Sequence, residues 1–122
     1  GGVMGITGMR MFVSSREPTT IEHALDHFDH VVRLVGDDHV GVGSDSDLHG
    51  YDKLPPEVIA GMRAGYKGSY GLREKLDIEG LDHPKRIFDL TEGLIRRNYS
   101  DNAIEKILGL SFKRALTQIW SA

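Results

Sequence analysis

Apolar positions along the chain change spacing as it proceeds, and each change marks an element. Gly2-Val3-Met4-Gly5-Ile6-Thr7 is a short apolar run broken by glycine, the pattern of a buried strand. Gly8 to Pro18 follows as a loop carrying Arg10 and Arg16. Ile21, Ala24, Leu25, Phe28, Val31, Val32 and Val35 then recur at helical spacing, predicting an amphipathic helix over 21–35 that Thr19 or Thr20 caps and Gly36 ends. A second glycine-broken run, Val40 to Ser44, predicts another strand, so this third of the chain reads strand–helix–strand with the length a parallel crossover needs.

Beyond it, residues 49–82 form a long segment, helical around Pro56 to Arg63 and then glycine-rich and aromatic from Gly65 to Gly71. A loop of that length in a compact domain is usually functional. The last third is helical. Asp89-Leu90-Thr91-Glu92 fits a capping box opening a helix to about Asn98, and Ser100 caps a second helix running to Gly109. Ser111 begins a third, with Phe112, Leu116, Ile119 and Trp120 on one side.

Two parallel strands are poor support for a fold, because parallel pairing is weak per residue and such sheets are normally covered on both faces. The inventory therefore predicts an α/β chain in which residues 1–122 form a single partial domain of a larger sheet or barrel, or a sheet completed by a second copy. With 122 residues, 39% hydrophobic and 27% charged, the composition is that of one small globular unit. No apolar run approaches the ~18 residues that span a bilayer, and no basic, then apolar leader opens the chain. No membrane segment is expected within it. The absence of cysteine excludes disulfides and thiol chemistry, and fits a reducing compartment such as the cytoplasm. A net charge of -3 argues against nucleic acid as a partner.

Candidate chemistry concentrates where the second strand ends, at Ser44-Asp45-Ser46-Asp47-Leu48-His49-Gly50. In extended backbone Asp45, Asp47 and His49 point to one side, and carboxylates with imidazole suit a divalent metal or proton transfer. The competing reading is a turn in which Asp47 and His49 make local hydrogen bonds. His23, His27 and His30 share a helical stripe, where a surface network with Asp26 and Asp29 is favoured over a metal site. Tyr66 and Tyr70 with Lys67 read as a lid or packing loop. Residues 90–120 are similar to bacterial helix-turn-helix sequences, an alternative in which Ser111 to Trp120 would enter a DNA groove. Asp45-Ser46-Asp47 also suggests an aspartyl-nucleophile phosphatase, but no Gly-Thr follows it.

Taken together, Gly2-Val3-Met4, Asp26-His27-Phe28-Asp29-His30-Val31, Asp38 through Asp47 and Asn98-Tyr99-Ser100 resemble the carboxyl-terminal part of the membrane (renal-type) dipeptidases, zinc-dependent (β/α)8 barrels of the amidohydrolase type. The resemblance implies a carboxyl-terminal fragment of a TIM barrel, with Val3 to Thr7 as strand 7 and Val40 to Ser44 as strand 8, followed by their helices. It implies Asp45 as the catalytic carboxylate, which beside a two-zinc site would orient the bridging hydroxide and carry its proton to the leaving amine. Asp47 and His49 would support the turn, and Arg10 would approach the substrate carboxylate. Gly109-Leu110-Ser111 departs from the family's Gly-Gly-Asn at the same point. The implied metal ligands, a His-x-Asp pair, a bridging Glu and two further His, match nothing in this chain. No metal is therefore expected on residues 1–122, a dipeptide is the implied substrate of the full-length enzyme, and the fragment alone is expected to be inactive. Self-association, or pairing with the missing part of the barrel, is the implied partner interaction.

Overall fold

The computed structural model describes residues 1–121. The fold is α/β: strand β1 (Met4–Thr7), a one-turn helix α1 (Arg10–Val13), helix α2 (Ile21–Val35), strand β2 (Val40–Ser44), then α3 (Pro56–Gly65), α4 (Arg86–Arg96), α5 (Asp101–Glu105) and α6 (Ser111–Trp120). The strands pair in parallel, Met4 opposite Val40, Gly5 opposite Gly41 and Ile6 opposite Val42. The register then slips, so that Thr7 meets Ser44. Both strands keep one unpaired edge in this two-stranded sheet.

One face of the sheet holds the core. Ile6 and Val40 pack with Leu25, Phe28 and Val31 of α2, Leu90 and Leu94 of α4, and Ile104 and Ile107 beyond them. Leu25, Val40, Leu94 and Ile107 are fully buried. Truncating one of them to alanine removes buried apolar surface and leaves a cavity, a cost of about 2–5 kcal/mol. Gly93 allows α4 to lie close on α2, since a Cβ there would stand 2.5 Å from Leu25 Cδ1. The two helices are also tied by charge. Arg97 donates to Glu22, Asp26 and Asp29, Arg96 donates to Glu22, and the Tyr99 hydroxyl donates to Asp29 at 2.7 Å.

The other face is lined by strand glycines. A Cβ on Gly41 would stand 2.6 Å from the Phe112 ring, so glycine is what lets α6 lean on β2. Buried Ser111 donates to the Asp37 carbonyl at 3.0 Å, and Lys106 pairs with Asp37 and Asp38 at 2.9 and 3.1 Å. These contacts hold the carboxyl-terminal helices to the turn that enters β2.

Three expectations change. Residues 10–13 form a helix where a loop was expected, because Arg73 from a distant segment accepts the task of tying down Arg10 O and Ser14 O. Helix α4 begins at Arg86, three residues before the expected capping box; Asp89 lies in its first turn, where it accepts from His83 Nε2 at 2.7 Å. As expected, Ser100 caps one helix, its Oγ accepting from Ala103 N at 3.2 Å, and a kink at Gly109 separates that helix from α6, which begins at Ser111. The helix-turn-helix alternative over 90–120 finds no support, since α6 leans on the strands through Phe112 as part of the α/β unit. Finally, only Phe112 of the apolar side of α6 packs well: Leu116, Ile119 and Trp120 are 38%, 66% and 77% exposed.

Candidate active site

The carboxyl end of β2 turns sharply. Ser44 and Asp45 both adopt left-handed backbone, with φ of 52° and 57°. Side chains other than glycine rarely adopt that conformation, and strain of this kind concentrates at functional positions. Several bonds hold it. Gly8 at the end of β1 donates its N–H to Ser44 O, and Ser46 Oγ donates to the same carbonyl at 3.4 Å. Arg86 of α4 donates to the carbonyls of Asp47 and Leu48 and, from Nε, to His83 O at 2.9 Å. Asp47 Oδ1 accepts from His49 N at 2.9 Å, a local turn bond.

The outcome is a rigid turn presenting an exposed Asp45 beside the strand end. Tyr51 lies within reach of its field: burial raises the phenol's pKa above its ordinary value, and the negative charge of Asp45 adds to the rise. Tyr51 thus remains a neutral hydroxyl at working pH. Asp52 and Asp77, unremarkable in sequence, lock the segment behind it. Asp52 Oδ1 accepts from Leu76 N at 2.8 Å and Oδ2 from Asp77 N at 3.1 Å, while Asp77 Oδ2 accepts from Asp52 N at 2.7 Å.

Arg10 is held inside the scaffold. Its side chain is 1% exposed, it donates to the Asp77 and Thr19 carbonyls, and it pairs with Glu17. The guanidinium is surrounded by groups of the scaffold, joining the loop after β1 to the segment after β2.

The histidines of α2 do not converge. His23 Nδ1 accepts from Thr20 N at 3.2 Å, closing the helix start, His27 Nε2 donates to Val13 O at 2.8 Å, and His30 is exposed. His39 Nδ1 donates to Gly2 O at 2.8 Å. Among the described residues no group of three or more His, Asp or Glu side chains is arranged to hold a metal ion, and no helix is long and apolar enough to cross a membrane. The residues present do not fit a zinc pair.

Residues 1–62 match the family Membrane dipeptidase (Peptidase family M19). The chain belongs to that family. It is 31% identical over 121 residues to Dipeptidase ataJ of Aspergillus terreus, covering 98% of this chain and 23% of that protein. It is 29% identical over 119 residues to Dipeptidase verJ of Clonostachys rogersoniana, covering 24% of it. The chain thus spans less than a quarter of these curated relatives. In structure it is similar to an amidohydrolase from Pseudomonas aeruginosa, with a TM-score of 0.77 and 25% identity, all of this chain matching 37% of that one.

Proposed function

We propose that the chain is the carboxyl-terminal part of a dipeptidase barrel and supplies the proton-carrying carboxylate, Asp45, for hydrolysis of a dipeptide bond. The observation that carries this is the left-handed Ser44-Asp45 pair at the end of β2, which puts an exposed carboxylate where α/β folds place chemistry. Membership of the family and the amidohydrolase-like fold support it.

In this reading Asp45 takes a proton from the attacking water as the water oxygen bonds to the peptide carbon. It returns that proton to the nitrogen as the C–N bond breaks, so the amine leaves neutral. Asp47, His49 and Arg86 fix the turn. The family's zinc pair would, in this reading, be held by other residues of the full-length enzyme. Residues 1–122 alone are therefore inactive, and the full-length enzyme is the active form.

Purified 122-residue chain with added zinc should release no amino acid from a dipeptide panel, whereas the full-length enzyme should. Turnover by the short chain contradicts the reading.

A further inference from the structure

The paired strands fall out of step just before the site. Ile6 faces Val42, but the next residue of β1, Thr7, faces Ser44, so Gly43 is an extra residue of β2 with no partner on β1. Such bulges are over-represented beside active sites, because they re-aim the chain that leaves the strand. Here that chain begins with Ser44 and Asp45, the left-handed pair. In regular pairing Gly8 would face Ser44. The bulge therefore draws the end of β2 back by one strand position, about 3.3 Å. A general base works within a reach of about 2.6–3.2 Å, so the bulge displaces Asp45 by its whole working distance.

Close approach of the two backbones makes the bulge possible. A Cβ on Gly43 would stand 2.9 Å from Gly5 C, 3.0 Å from Gly5 O and 3.1 Å from Gly5 Cα. From the other strand, a Cβ on Gly5 would stand 2.9 Å from Gly43 Cα and 3.3 Å from Gly43 N. These are backbone atoms of paired strands, so no side-chain rotation relieves the contact. A methyl group at either position must part the strands by about 0.6 Å to reach an ordinary carbon contact of about 3.5 Å. Ser44 follows directly and its carbonyl accepts from Gly8 N, so the displacement passes into the Asp45 turn. Gly41, earlier in β2, differs: a Cβ there would first meet the Phe112 ring and the Ile107 carbonyl.

We propose that Gly43 and Gly5 are positioning residues, whose bare backbone contact holds the bulge that sets where Asp45 stands. The proposal rests on the proton-carrying role of Asp45. Misplacing a reacting group by about 1 Å costs on the order of 10²-fold in rate, so a shift of about 0.6 Å should lower kcat by about 10- to 100-fold with little change in KM.

The test measures kcat and KM of the full-length enzyme on one dipeptide for Gly43→Ala, Gly41→Ala, Asp45→Asn and the Gly43→Ala/Asp45→Asn double variant, each shown to be folded by circular dichroism. Gly43→Ala should lose about 10- to 100-fold in kcat. Gly41→Ala should melt earlier through overpacking against Phe112 but keep kcat within about twofold. In the Asp45→Asn background, Gly43→Ala should cost less than about a further twofold, since the group it misplaces is already gone. Gly5→Ala should repeat the Gly43→Ala pattern and carries the test if Gly43→Ala does not fold. If neither folds, the contact serves folding and the proposal falls. Wild-type kcat in folded Gly43→Ala, or an undiminished loss in the Asp45→Asn background, overturns it and leaves the dipeptidase reading standing. Wild-type kcat in Asp45→Asn rejects the reading on which it rests.

Discussion

Adding one methyl group at Gly8 should damage the Asp45 turn from outside it. A Cβ built on Gly8 overlaps the Ser46 hydroxyl and stands 2.9 Å from Ser44 O, while Ser46 Cβ at 3.7 Å is an ordinary contact. Ser46 can rotate its hydroxyl away, but Ser44 O is backbone and accepts from Gly8 N. The strand end must therefore separate from the turn, stretching that bond. Overpacking of this kind costs about 1–3 kcal/mol, and a weakened backbone bond adds about 1 kcal/mol. Gly8→Ala should thus lose about 2–4 kcal/mol, which at a slope of about 1–3 kcal/mol per molar is a fall of roughly 0.7–4 M in the urea midpoint. Ser46→Ala removes the overlapping oxygen and leaves the carbonyl contact. The double variant should therefore recover part of the loss, with a coupling of at least about 0.5 kcal/mol. A Gly8→Ala midpoint within error of wild type, or strictly additive effects, would refute the close approach of β1 to the Asp45 turn.

The charged cluster between α2 and α4 makes a pH prediction. Hydrogen bonds from Arg97 and then Arg96 lower the Glu22 pKa below the ordinary 4.5. Because the folded value is the lower one, the stabilisation is complete above pH 4.5 and is lost as pH falls through the folded value. Arg97→Met should lose about 1–2 kcal/mol at pH 7, its partners being partly exposed, and should flatten the acid side of a melting-temperature profile. Unchanged acid dependence would be the contrary result. Arg73→Ala should free the aromatic segment, raising hydrogen exchange across 66–79 while leaving the exchange of the Leu94 region alone. Exposed Leu116, Ile119 and Trp120, together with the unpaired strand edges, should drive the short chain to self-associate in light scattering; a monodisperse monomer would count against it.

What could be read in sequence was whatever depends on neighbours a few residues away. The 21–35 helix appears in the spacing of Ile21, Leu25, Phe28 and Val32, and both strands appear as glycine-broken apolar runs. What escaped depends on distant partners. Helix α1 exists because Arg73 binds its two ends. The start of α4 was displaced because Asp89, read as a cap, instead faces His83. Asp52 and Asp77 exchange two bonds across 25 positions, and Asp52 accepts a third from Leu76 N, a pairing no local pattern announces. At the site, the strand-end cluster was visible in Ser44 to His49. The left-handed dihedrals of Ser44 and Asp45 were not, because neither residue type requires them. The Ile119 and Trp120 stripe read correctly as an apolar side but not as an exposed one, since periodicity says nothing of which surface covers it.

The account turns on Asp45 moving the proton of the attacking water. In the full-length enzyme, Asp45→Asn keeps the size and the turn but removes the base, and kcat on a preferred dipeptide should fall by about 10²–10⁴-fold with an unchanged melting temperature. A folded Asp45→Asn enzyme with near wild-type kcat would contradict it.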